Sequence, residues 1–273
     1  MVKSYPRVGR MMSPLVGSID QYYNDYPEEY TILADDRDFV AQTAALLTAG
    51  PNFNGPWVEL CAGAARHAAE LSLAANVEVW AIDASAAMRS LALKLGFRPP
   101  DRYLLARLPH LDLPSALVDQ FAGAFMLRYS AGYLTPLEIE ALLDTLKPWL
   151  RHGARLVFEL HDLNLVRGSL ADLTIRTRRK TRADGTILSC VWPAGALHWK
   201  NNDWCVDMDV LVEVHSADGR LLEQRRYVSR EHMHSLGDLE RAAHRVGGYR
   251  ILELPVISRE AFPHSVLVGL ERE

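Results

Sequence analysis

The chain reads as an α/β protein: a doubly wound, mainly parallel seven-stranded sheet with an antiparallel β subdomain inserted late in the sequence. Three observations predict this. Between residues 57 and 162 short apolar runs alternate with helical segments, the pattern of a parallel sheet covered on both faces. After Asn164 two D-G turns each separate a pair of β-rich runs, which reads as two hairpins. The chain then closes on a helix and two strands joined by a short loop, an ending that sets an antiparallel strand into a parallel sheet.

Each element carries its own signal. A polar, tyrosine-rich start (D-Q-Y-Y-N-D-Y-P-E-E-Y) precedes a stretch from Asp36 to Ala49 in which Phe39, Val40, Ala44, Leu46 and Leu47 recur at near-helical spacing. Trp57 to Cys61 is a strand, and the alanine-rich A-A-R-H-A-A-E-L-S-L-A-A after it has strong helix propensity. Val77 to Ile82 is a second strand closed by Asp83, with Ser85 placed to cap the next helix and Gly96 to end it. Tyr103 to Ala106 and Phe121 to Leu127 are further strands. Pro136 opens a helix running to Leu150, and Arg155 to Leu160 is the fifth strand. The hairpins are L-T-I-R-T-R-R-K-T-R-A-D-G-T-I-L-S-C-V-W and W-C-V-D-M-D-V-L-V-E-V-H-S-A-D-G-R-L-L-E-Q-R-R-Y-V. A helix from about Ser235 to Arg245 and strands at Tyr249 to Ile257 and Ser265 to Glu271 finish the chain. The chain thus divides into an N-terminal lid and helix (1–50), a ligand-binding core (51–165), an inserted β subdomain capping the substrate (166–232), and the last helix and closing strands of the core (233–273).

Composition narrows the function. With 273 residues and 49% hydrophobic content the chain can bury a sizeable core. The 34 acidic against 30 basic residues give a net charge of -4, which offers a nucleic-acid backbone no attraction. Cys61, Cys190 and Cys205 lack the paired spacing of a zinc site or redox motif, so no metal is expected and the chain reads as cytoplasmic and reduced. No apolar run approaches a bilayer span, and the start has no long h-region, so no membrane is expected as partner.

In a doubly wound sheet a ligand sits beyond the carboxyl ends of the strands at the switch in strand order. The loops there are C-A-G-A-A-R (Cys61 to Arg66), D-A-S (Asp83 to Ser85) and M-L-R-Y-S-A-G-Y-L (Met126 to Leu134). Small residues in the first let backbone approach a ligand closely, and Asp83 is placed to accept hydrogen bonds from ribose hydroxyls. A dinucleotide would want G-x-G-x-x-G at a helix start, and only Gly63 is present.

Plainer roles compete for several of these residues. Asp83 could simply start a helix, Cys61 is expected as an inert packed thiol, and His67 as a partly exposed helix residue. Trp192, Trp199 and Trp204 form either hairpin core or a substrate wall. The basic stripe Arg176, Arg178, Arg179, Lys180 and Arg182 suits a solvated sheet edge. Tyr22 and Tyr23 either anchor the N-terminus or cover a cofactor.

The segments V-E-L-C-A-G-A-A-R-H-A-A-E-L and V-W-A-I-D-A-S-A-A-M, with the closing strand pair, resemble the class I S-adenosylmethionine-dependent methyltransferases. The run L-T-P-L-E-I-E-A-L-L-D-T-L-K-P-W-L-R-H-G-A-R-L-V-F-E-L looks like that family's helix and fifth strand, so the resemblance covers nearly the whole chain. The tyrosine-rich start, S-A-G-Y-L and the late hairpins are similar to small-molecule N-methyltransferases of the glycine and amino-sugar type. The resemblance implies a Rossmann-like fold, S-adenosyl-L-methionine as cofactor, and methyl transfer to nitrogen, or else oxygen, of a small metabolite, in a secondary-metabolism setting. By position it puts Glu59, Cys61, Ala62 and Gly63 beside the methionine part, Asp83 at the ribose, Ala84 and Met88 at the adenine, with Arg107 and Leu108 nearby. Met126 and Leu127 would line the middle of the cofactor, and Tyr22, Tyr23 and Tyr30 would lie in a lid. His161 is the candidate general base, with Tyr129 as its catalytic companion. Tyr133, Asn164, Trp192, Trp199 and His232 are candidate substrate contacts.

Two departures keep other readings open. The family's G-x-G-x-G loop becomes C-A-G-A-A, and the usual G-D after the third strand becomes Ala106-Arg107. A cofactor-using enzyme that releases methylthioadenosine by intramolecular displacement, one that catalyses a cyclisation, and a non-catalytic binding subunit all remain. Oligomeric state is open, a homodimer included.

Overall fold

A computed structural model describes residues 16–34, 37–49, 55–162, 164–165, 177–200, 204–254, 260–263 and 265–273. The chain enters through β1 (Val16–Ser18), α1 (Ile19–Asp25), α2 (Pro27–Ala34) and α3 (Phe39–Ala49). Then come β2 (Trp57–Leu60), α4 (Arg66–Ala75), β3 (Val79–Asp83), α5 (Ala86–Lys94), β4 (Tyr103–Leu105), β5 (Phe121–Met126), α6 (Pro136–Leu146) and β6 (Leu150–His161). The later part comprises β7 (Thr177–Thr181), β8 (Ile187–Val191), β9 (His198–Lys200), β10 (Cys205–His215), β11 (Leu221–His232), α7 (Leu236–Val246), β12 (Tyr249–Leu252) and β13 (Ser265–Arg272).

The main sheet has seven strands in the order β12-β13-β6-β5-β2-β3-β4. The pairs from β6 through β4 are parallel, and β13 runs antiparallel to both its neighbours. The alternating pleat explains why these strands read as continuous apolar runs. Val58, Leu60, Ile82, Ala124, Met126 and Phe158 pack toward α6 and α7, while Trp57, Val79, Ala81, Phe125 and Val157 pack toward α3 and α4. Position 123 must be glycine for this packing, because a Cβ there would stand 2.4 Å from the Trp57 indole. The order reverses between β5 and β2, so their loops open a crevice at the carboxyl ends.

The second sheet runs β1-β11-β10-β8-β7 with β9 also on β10, and the two D-G hairpins are its β7/β8 and β10/β11 pairs. The start of the chain is woven into it: β1 lies parallel to β11, with Val16 opposite Arg226. The pattern gave no sign of β1 or β9, each only three residues long. Other boundaries move for local reasons. The Asp38 carboxylate accepts the Ala41 N–H, so α3 begins at Phe39 and not at Asp36. Pro148 helps to end α6 near Leu146. Strand β12 stops at Leu252, and residues 255–259 lie outside the described residues, as does Arg176 of the basic stripe. No helix among the described residues is long and apolar enough to cross a membrane, and none of their His, Cys, Asp and Glu side chains group as a metal site.

Candidate functional site

The loop after β2 keeps the backbone of a glycine turn without most of its glycines. Cys61, Gly63 and Ala65 all sit at positive φ, at 52°, 52° and 50°. Cys61 and Ala65 hold left-handed conformations that cost a residue with a Cβ about 1 kcal/mol each. The turn survives because its groups are pinned from outside. Asp83 at the end of β3 accepts the Gly63 N–H at 2.8 Å and, through its other oxygen, the Ser85 N–H at 2.8 Å. The Tyr103 hydroxyl donates to the Gly63 carbonyl at 2.6 Å. Burial raises the Asp83 carboxyl above its ordinary value, against the pull of those N–H donors.

Beneath this turn lies a dry polar cluster. Glu59 on β2 accepts the Ala68 N–H at 2.9 Å and stands 3.4 Å from the His67 Nδ1. Burial pushes the Glu59 carboxyl up to about 8 and the His67 imidazole down to about 3, so both are neutral at intermediate pH. Gln42 on α3 meets the His67 Nε2 at 2.9 Å. The expected surface position of His67 is thus corrected: its ring is 2% exposed, because the helix face it occupies turns onto α3. Cys61 behaves as expected, with burial driving its thiol pKa up and away from reactivity.

Tyrosines from the N-terminal helices fill the crevice above. The Tyr30 ring lies where a Cβ on Gly63 would come within 3.6 Å of it, and the Arg128 guanidinium lies over the same ring, 5.0 Å from its centroid. Tyr23 meets Tyr30 edge-on at 5.3 Å and packs with Ala64, Met88 and Leu91. Helix α1 is fixed there by Ser85, whose hydroxyl caps α5 at Met88 and donates to the Asn24 side chain at 2.9 Å. Only about 20 Å³ remains among Glu59, Cys61, Ala62, Leu127 and Arg128, room for about one water molecule.

Beside it a cavity of about 760 Å³ opens over β6 and β13 and under the second sheet. Its walls include Tyr129, Tyr133, His161 and Trp192, all marked by the sequence, and Arg37, Arg128, Glu231 and Ser265, which were not. His161, the last residue of β6, has its Nε2 2.7 Å from the Glu231 carboxylate on β11 and its ring stacked on Tyr129 at 4.1 Å. The Tyr133 and Tyr23 hydroxyls are 2.7 Å apart. Glu159, fully buried, accepts from Arg37 and from the Arg128 N–H at 2.6 Å each and from the Ser265 hydroxyl at 2.6 Å. Burial would raise its carboxyl, but the Arg37 charge and these donors outweigh it and hold the group below its ordinary value. An acid inside the apolar run L-V-F-E-L was a readable signal for Glu159, whereas Arg37 and Glu231 sit in polar surroundings with no pattern to mark them.

Several expected site residues lie elsewhere. Tyr22 is wholly buried against Tyr227 and Trp192 in the second sheet's core, because α1 turns that face away from the crevice. Met126 and Leu108 belong to the core on the α6 face, and Ala84 is exposed. Arg107 pairs with Asp20 at the surface, 3.0 Å apart. Trp199 is 40% exposed on the outer strand β9, edge-on to Trp204, which is 60% exposed, so neither is hairpin core or cavity wall. His232 stacks on His234, and Asn164 is exposed with its N–H on Asp162; neither lines the cavity.

No protein-family model matches the sequence, and no curated protein does. Solved structures do match in fold. DesVI of Streptomyces venezuelae is 17% identical, with 90% of this chain and 97% of that one covered at a TM-score of 0.65. KedS8, a sugar N-methyltransferase from Streptoalloteichus, is 16% identical over 100% and 99% of the two chains, also at 0.65. CalS10, an amino pentose methyltransferase from Micromonospora echinaspora seen with S-adenosylmethionine bound, is 16% identical over 92% and 98%, at 0.63. With its seven-stranded sheet, antiparallel β13 and β-rich cap, this chain has the fold of the S-adenosylmethionine-dependent methyltransferases.

Proposed function

We propose that the chain transfers a methyl group from S-adenosylmethionine to a nitrogen of a small molecule. The observation that carries this reading is the cavity of about 760 Å³, walled by His161, Tyr129 and Tyr133 and set directly beside the strand-end loops. Its size falls in the roughly 300–1,000 Å³ range of small-molecule sites. Nitrogen is preferred to oxygen because KedS8 is a sugar N-methyltransferase and CalS10 acts on an amino pentose.

The donor set suits the cofactor. Asp83 presents a buried carboxylate at the end of β3, the Cys61–Ala65 turn brings bare backbone to the crevice, and Met88 and Leu127 give it apolar sides. Asp83 would hold the ribose, Met88 the adenine, and Glu59, Cys61, Ala62 and Gly63 the methionine portion. Tyr23 and Tyr30 take up the intervening room, and both belong to the N-terminal helices, so those rings must swing aside on binding.

When bound, S-adenosylmethionine supplies a methyl group on a positively charged sulfur. The chain's own residues align the acceptor and keep water out. His161 at the cavity wall takes the proton that the acceptor nitrogen loses, and Tyr133 offers a hydroxyl to orient it. A second reading, a binding subunit that does not use the cofactor, draws its support from the filled crevice.

Incubation with S-adenosylmethionine, alone and with a panel of small amines, separates these readings. S-adenosylhomocysteine formed only with an amine present sustains methyl transfer; methylthioadenosine formed without acceptor sinks it. No calorimetric binding of either nucleoside selects the second reading. Asp83→Ala should weaken S-adenosylhomocysteine binding by roughly 30-fold or more, the worth of a charged hydrogen-bonding group; unchanged affinity refutes the ribose assignment.

A further inference from the structure

We infer that Glu231 is a positioning residue that holds the His161 ring in the tautomer whose Nδ1 accepts a proton from the cavity; the inference deepens, and rests on, the methyl-transfer reading. The pair joins the two sheets. His161 ends β6 in the main sheet and Glu231 lies near the end of β11 in the second, and their side chains meet at 2.7 Å. Glu231 is 3% exposed and its other oxygen accepts the hydroxyl of the fully buried Ser229 at 2.7 Å. An ionised carboxylate only accepts, so with Glu231 ionised the imidazole Nε2 is the donor. In a neutral ring that leaves Nδ1 as the lone-pair nitrogen. Tyr129 stacks on the ring at 4.1 Å with the planes 10° apart, which holds its plane, and a half-turn would break the 2.7 Å contact with Glu231. The His161 side chain is 15% exposed and borders the cavity, which puts the ring within reach of a bound acceptor.

In the transfer step the acceptor nitrogen's lone pair forms the new N–C bond as the methyl–sulfur bond breaks with its pair going to sulfur. The proton that the nitrogen sheds goes to Nδ1, and the resulting imidazolium keeps its Nε2–H on Glu231. Neither residue is part of the sequence runs that carry the cofactor crevice. The base is thus assembled only where the second sheet docks on the first.

The test is nitrogen-15 NMR of the full-length, ligand-free protein at a pH where the ring is neutral, with the His161 signals assigned by their absence from His161→Asn. Wild type should show Nε2 protonated and Nδ1 bare. Glu231→Asp, which keeps an acceptor, should retain that pattern. In Glu231→Gln the Ser229 hydroxyl claims the amide oxygen, the amide NH₂ faces the ring, and the two nitrogen resonances should exchange positions. A wild-type ring protonated on Nδ1, or an unchanged tautomer in Glu231→Gln, overturns the inference; the wild-type spectrum decides even if the variant misfolds. The expected spectra in a protein that forms no S-adenosylhomocysteine with any amine would leave the positioning role standing and sink the methyl-transfer reading alone.

Discussion

The crevice over β2 and the start of α4 and the cavity over β6 and β13 both adjoin strands of the main sheet, yet one encloses about 20 Å³ and the other about 760 Å³. The difference lies in what covers them. The crevice is stoppered by aromatic side chains from α1 and α2, which pack on Gly63, Ala64 and Met88 as core residues would. The cavity is roofed by a sheet whose strands hold one another through backbone ladders. A filled crevice and an open cavity imply different behaviour under mutation, and that contrast can be broken or sharpened by experiment.

The largest effect should come from the stopper itself. Tyr30→Ala removes a half-buried ring and should cost about 3 kcal/mol of stability by denaturant unfolding. The same variant should bind S-adenosylhomocysteine roughly tenfold more tightly, because the binding-competent open state no longer competes with a packed ring. A loss of affinity by calorimetry would make Tyr30 a wall of the nucleoside site and erase the contrast.

A smaller effect should report how dry the crevice floor is. Glu59 has a folded pKa of about 8 against an ordinary 4.5, so the stability it contributes is full below pH 4.5 and is lost as pH rises through about 8. His67, lowered to about 3 from 6.5, works the other way: its contribution is present above pH 6.5 and is lost as pH falls through about 3. Between pH 6.5 and 8 only the Glu59 arm acts, and wild-type stability should fall by on the order of 2 kcal/mol. Glu59→Gln should flatten that arm of the unfolding curve. An equally steep arm in the variant would mean that water already reaches Glu59.

The smallest effect belongs to the rim. Arg107 and Asp20 are 68% and 57% exposed, so Arg107→Ala should move stability by about 0.5 kcal/mol or less and leave nucleoside affinity within twofold. A larger change would show that the ion pair, and not the tyrosines, holds α1 over the crevice.

The sequence carried the frame of this molecule. Strands buried on both faces must be apolar throughout, so the runs at Trp57, Val79, Phe121 and Leu156 were readable, while capping chemistry marked Ser85 and a helix-start proline marked Pro136. The loop from Cys61 to Arg66 and Asp83 were legible from their place at strand ends, and Glu59 only from the family resemblance. The cavity was only half legible. His161 and Tyr133 follow strands, but Glu231, Arg37 and Glu159 come together from positions as much as 122 residues apart.

By itself, then, the sequence determined the parallel sheet, its reversal point and the strand-end loops, because local periodicity and strand-end position are enough to specify them. Tertiary structure alone decided that Tyr22 faces the second sheet while Tyr23 and Tyr30 face the crevice, and that a carboxylate from β11 reaches the histidine of β6. The physical reason is range: period and capping are settled within a few residues, whereas the meeting of two sheets depends on how their whole surfaces pack.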